Sequence, residues 1–187
     1  MPVWLIVILI VAAVIGIYIW VSYNSLVNLD ERVNEAWSDI DVQLKYRADL
    51  IPNVVETVKG YAKQEKDVIQ SVSDARAKMV GARSVAAKAE ADQSITGALS
   101  RIFALSESYP ELKSNPNFQQ LQLQLQDVED KLQAARRFYN AGAKEINAKI
   151  KTFPINLFKG FGFKKRDYFE VAATEREKVE KAPEVKF

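Results

Sequence analysis

The chain contains no cysteine and no histidine in its 187 residues. Without cysteine there is no disulfide, no thiol nucleophile, no thioether-linked haem and no lipidated cysteine. Without either residue type there is no Ser-His-Asp or Cys-His relay, no zinc site of the usual nitrogen and sulfur ligands, and no Glu-x-x-His pair for a di-iron bundle. The chemistry left falls to carboxylates, a Ser-Lys pair or tyrosine. The tightest carboxylate group, Asp127, Glu129 and Asp130, lies among Gln and Leu at helical spacing and reads as a solvated helix face. A non-enzymatic protein with no cofactor and no metal is therefore expected. A one-sided charge is missing as well. Twenty-six basic residues stand against 24 acidic ones, a net +2, so nothing here is the clustered basic face that nucleic acid requires.

What is present in excess is one apolar run. Residues 3–21 read VWLIVILIVAAVIGIYIWV. As a helix at 1.5 Å per residue this run spans about 28 Å, close to the roughly 30 Å hydrocarbon core of a bilayer. No Lys or Arg precedes it, it exceeds the length of a signal-peptide core, and Val21-Ser22-Tyr23 offers no small-residue cleavage site. Trp4 at one end and Tyr18, Trp20 and Tyr23 at the other suit the aromatic belts of the two interfaces. Residues 1–23 are thus expected to be a retained transmembrane anchor. Every Lys and Arg follows it, which favours a cytoplasmic C-terminal domain and an outside N-terminus.

Beyond the anchor the pattern is helical throughout. Leu26, Leu29, Val33, Trp37, Ile40 and Leu44 step by three and four and form one apolar stripe. The phase passes Arg47 and resumes at Ile51, Val54, Val58, Val68 and Val72. Pro52 lies inside it, where its ring opposes the carbonyl of Ala48 and its nitrogen lacks a hydrogen. Leu50 and Ile51 are poor turn residues, so one long helix over about 24–80, kinked at Pro52, is expected. Gly81 and Ser84 read as stop and next N-cap. A second helix then carries Ile95, Leu99, Ile102 and Leu105 and ends before Pro110. Asn115-Pro116 reads as N-cap and first residue of a third helix. Its seam runs Phe118, Leu121, Leu125, Val128, Leu132, Tyr139, Gly142, Ile146 and Phe153, with Gly142 marking a close helix approach. Residues 167–180 are expected to make a short final helix and 181–187 an extended charged tail. The fold expected is all-α: a transmembrane helix, then an antiparallel four-helix bundle over 24–180.

Taken together, Tyr23-Asn24-Ser25-Leu26-Val27, Glu35-Ala36-Trp37-Ser38-Asp39-Ile40, Arg47-Ala48-Asp49-Leu50-Ile51-Pro52-Asn53, Glu107-Ser108-Tyr109-Pro110-Glu111-Leu112-Lys113 and Ala135-Arg136-Arg137-Phe138-Tyr139-Asn140 resemble the LemA family of bacterial membrane-anchored proteins. Gln64 departs from that pattern, standing where members often carry His. The resemblance implies a single-pass inner-membrane protein with a short outside N-terminus and a cytoplasmic four-helix bundle. It also implies links to membrane proteases or membrane remodelling, and no catalytic residue.

Two functional readings follow from the residues. A scaffold or adaptor, tied to membrane-protein quality control or membrane organisation, would self-associate through Leu26, Leu29, Val33, Trp37, Ile40 and Leu44 if the bundle leaves that stripe uncovered; the other possibility is that the C-terminal segment folds back over it. A membrane-shaping protein would instead dip Phe158, Phe161 and Phe163, with Lys164, Lys165 and Arg166, into anionic lipid, where a Phe-capped bundle end is the alternative. An enzyme built on carboxylates is a distant third.

Overall fold

The computed structural model describes residues 2–153, 155–158 and 162–170, with the backbone alone for Leu157 and Phe158. Phe161, Lys159, the expected helix beyond Glu170 and the expected tail 181–187 lie outside the described residues. Among the described residues there are five α-helices and no strand: α1 Val3–Tyr61, α2 Lys66–Gly81, α3 Val85–Ser108, α4 Pro110–Lys113 and α5 Pro116–Lys149, followed by a 3₁₀ turn at Ile155–Phe158.

Helix α1 is continuous from the apolar run into the polar part of the chain. Its apolar run holds a window of mean hydropathy 2.9, none of it buried within the protein. Length and apolarity are those of a membrane-crossing helix, and lipid is the solvent that such a surface suits. Pro52 does not end the helix. Its missing N–H orphans the Ala48 carbonyl, and Arg76 of α2 supplies the replacement donor, Nε to oxygen at 3.1 Å.

The helix does end earlier than its apolar phase implies, at Tyr61 and not near residue 80. Residues 62–65 contain no Gly or Pro, and Gly60 lies inside the helix, so local sequence carries no sharp stop signal. The stop is tertiary. Asn115 donates from Nδ2 to the Tyr61 hydroxyl at 2.8 Å, and the Tyr109 hydroxyl donates to the Glu65 carboxylate at 3.2 Å. The same Asn115 caps α5, its side-chain oxygen accepting from the N–H groups of Asn117 and Phe118. Ser84 caps α3 in the same way through the N–H of Ala87.

Contacts gather the described residues into two compact units: those up to Trp37 with those of Arg137–Tyr168, and Ser38–Arg136 with Phe169 and Glu170. In the first unit α5 runs antiparallel to α1, since Trp37 meets Tyr139, Val33 meets Gly142 and Ser25 meets Lys149 in reversed order. In the second, α2 and α3 pack on each other across a three-residue connection, and Leu125, Val128 and Leu132 of α5 are buried. The α5 seam is interior as far as Ile146, while Phe153, expected to close it, is exposed because α5 stops at Lys149.

Candidate functional site

The stripe expected to serve self-association is interior. Leu26, Leu29, Val33, Ile40 and Leu44 are all buried within this one chain and Trp37 is half-buried. The reason is the length of α5, 34 residues, whose second half returns along α1. Trp37 stacks at a tilt on Tyr139, ring centroids 5.4 Å apart. At Gly142 a Cβ would lie 2.5 Å from Cγ2 of Val33, so the close approach read from that glycine is real, and it belongs to the fold-back. The stripe is therefore covered within the chain and is not a free face.

The basic aromatic segment is also partly interior. Gly162, at φ +90°, turns the chain into an irregular strap, residues 163–170, where a helix was expected to have begun by 167. Arg166 is engaged within the protein. Its guanidinium binds Asp30 at 2.7 Å and the Asn34 side chain at 2.9 Å, both on α1. Asn147 of α5 brackets the Arg166 backbone, donating to its carbonyl and accepting from its N–H, each at 2.9 Å. The Tyr139 hydroxyl donates to the Asp167 carbonyl at 2.8 Å. Phe163 packs edge-on against Tyr23, ring centroids 5.7 Å apart, just past the end of the apolar run. Lys164 and Lys165 remain exposed. The Phe158 side chain and Phe161 lie outside the described residues.

The second unit holds a polar cluster that the sequence pattern did not disclose. Arg47 of α1, Asp92 of α3, and Glu129 and Arg136 of α5 form a set of ion pairs, with Arg47 Nε, Arg136 Nε and Glu129 Oε2 buried and without a hydrogen-bond partner among the described residues. Arg47 Nη1 lies 2.7 Å from Asp92 Oδ1 and 2.9 Å from Glu129 Oε2. Arg136 bonds the second Asp92 oxygen and lies 3.7 Å from Glu129. Arg47 and Asp92 are almost fully buried, and the Phe169 ring covers the Arg136 guanidinium at 5.0 Å. Glu129 is therefore not part of a solvated face, although Asp127 and Asp130 are exposed. Burial pushes the Asp92 carboxyl up from its ordinary value of 3.8, with Glu129 adding to the push and the two arginines opposing it. The signal available was Arg47, which interrupts an apolar phase on a buried face. This cluster joins three helices with balanced charge, two cations to two anions. It reads as a structural lock.

Comparison with known proteins places the chain in context. A sequence model described as the LemA family matches residues 36–187. "Protein LemA" of Metamycoplasma hominis is 28% identical over 175 residues, covering 89% of this chain and 76% of that protein. "Magnetosome protein MamQ 2" of Paramagnetospirillum magneticum and "Magnetosome protein MamQ" of Magnetospirillum gryphiswaldense are each 26% identical, covering 79% of this chain. The chain spans 64% of the length of these MamQ relatives.

Proposed function

This chain belongs to the LemA family, and on that premise we propose that it is a non-enzymatic scaffold, anchored by residues 3–21, that holds its helical units at the cytoplasmic face of the inner membrane. The observation that carries the reading is the unbroken α1: the same helix is apolar and exposed over residues 3–21 and contributes buried side chains from Leu26 to Val58. A partner membrane protein, including a protease, would then meet a surface tied rigidly to the bilayer. The test is to cut this connection. A two-glycine insertion after Tyr23 keeps both the anchor and the core but uncouples them; glycine costs about 1 kcal/mol each in a helix interior. The insertion is expected to leave the protein in the membrane fraction, with native helicity, while abolishing co-purification of its cross-linked membrane partners. Unchanged partner recovery would refute the scaffold reading.

A second reading, membrane shaping, is favoured by one observation: Phe163 seats the exposed Lys164 and Lys165 beside Tyr23. Vesicle deformation that depends on Lys164 and Lys165 would select this reading over the scaffold.

A further inference from the structure

Where α1 leaves the apolar run, a groove of about 390 Å³ opens between α1 and the end of α5. Val21, the last residue of the apolar run, forms one edge. Beyond it the lining is mixed: Asn24, Ser25, Asn28 and Arg32 with the apolar Leu29 from α1, and Glu145 and Lys149 from α5. We propose that this groove binds the phosphodiester headgroup of an anionic phospholipid, with the acyl chains lying along the exposed apolar face of α1. The inference rests on the anchoring of residues 3–21 and adds a ligand to it.

Depth is the first argument. Headgroups occupy roughly 5–8 Å on each side of the hydrocarbon core. Ser25 stands four residues beyond Val21, about 6 Å along the axis, and therefore within that layer. Arg32 starts deeper in water, but side chains on a helix lean toward its N-terminus, here toward the bilayer. Lys149 arrives from the opposite direction because α5 is antiparallel, and its ammonium lies 3.3 Å from the Ser25 hydroxyl.

Charge is the second. The lining carries Arg32 and Lys149 against Glu145, a net +1, which matches one phosphodiester. Glu145 pairs with Lys149 at 3.0 Å and holds part of its charge. Arg32 makes no ion pair among the described residues. Asp30, on the same helix, is already held by Arg166. The exposed Lys164 and Lys165, seated beside Tyr23 by Phe163, raise the positive potential at the same depth. Asn24, Ser25 and Asn28 supply neutral donors for the remaining phosphate and glycerol oxygens.

The experiment uses the full chain in detergent, titrated by native mass spectrometry with phosphatidylglycerol, phosphatidylcholine and inorganic phosphate. Wild type is expected to retain phosphatidylglycerol well above phosphatidylcholine. Arg32→Gln and Lys149→Gln should each weaken retention about fivefold, the effect of one basic residue near an anionic surface, while Glu145→Gln should strengthen it. Equal retention of the two lipids overturns the proposal. So does displacement of the lipid by millimolar phosphate, which marks a site for a free anion, and so does retention unchanged from wild type in both Gln variants with helicity intact. Carbonate-resistant association, measured on the membranes before they are solubilised, reports the anchor separately. Its loss in wild type would defeat the anchoring reading, and its persistence without lipid selectivity would defeat the groove alone.

Discussion

Arg76 donates from Nε to the carbonyl oxygen of Ala48 at 3.1 Å, and Ala48 is the residue whose carbonyl Pro52 deprives of its helical donor. A proline that breaks a helix elsewhere is thus accommodated by a neighbouring helix. Ala48 is buried, so water does not offer the replacement. Arg76→Met is expected to cost about 1–3 kcal/mol, the penalty of an unsatisfied buried acceptor. In a Pro52→Ala background, where residue 52 regains its N–H, the same change should cost under about 1 kcal/mol. Urea titration of the four proteins measures the coupling. Additive effects would show that Arg76 acts through packing alone.

The ion cluster makes a pH-dependent prediction. Arg47→Met leaves Asp92 and Glu129 with Arg136 alone and should destabilise by about 3–5 kcal/mol at neutral pH. The Asp92 carboxyl is already raised by burial, so the stability linked to its titration is fully present below its ordinary 3.8 and is lost as pH rises through the raised value. Losing Arg47 removes the largest opposing charge and raises the native value further, widening that window. The cost of Arg47→Met should therefore shrink as pH falls toward 4. A cost that grows toward acid pH would contradict the assigned sign.

Gly142 sits against Val33 with no room for a methyl group. Gly142→Ala is expected to destabilise by about 1–3 kcal/mol through overpacking. Combined with Val33→Ala, the clash disappears and the helix preference of alanine over glycine, about 1 kcal/mol, offsets part of the Val33 truncation. Thermal melts of the two single variants and the double check the reversal of sign.

Arg166 ties the strap to α1 through Asp30 and Asn34. Arg166→Ala should release residues 162–168 without unfolding the helices. Hydrogen exchange would then show faster exchange confined to that segment. Loss of protection across α1 and α5 would mean that the strap supports the whole unit.

The all-helical class, the apolar span, the caps at Ser84 and Asn115, the buried seam of Leu125, Val128 and Leu132 and the close approach at Gly142 could be read from the sequence, because each depends on local spacing or on one residue's backbone chemistry. The stop at Tyr61 could not. It is made by Asn115 and Tyr109, 54 and 44 residues from their partners. The fate of the stripe could not either, since periodicity marks an apolar face but does not say which helix covers it; the reach of α5 decided that. Arg47 and Glu129 were visible only as a break in phase and as one acid among three. Their pairing through Asp92 is long-range information that no local pattern carries.

The central claim is that residues 3–21 cross the membrane as the first part of a helix that continues directly into the water-exposed core. The absence of cysteine makes this measurable without background. Single cysteines placed along 3–35 and treated in intact cells and in inverted vesicles with a membrane-impermeant maleimide report the exposure of each position. The account predicts no labelling from either side at Ile6 to Ile17, labelling of exposed positions beyond Asn24 only in inverted vesicles, and an intact mass that includes residues 1–22. Labelling within Ile6 to Ile17, reaction of the distal positions in intact cells, or a mature mass lacking the first 22 residues would contradict it.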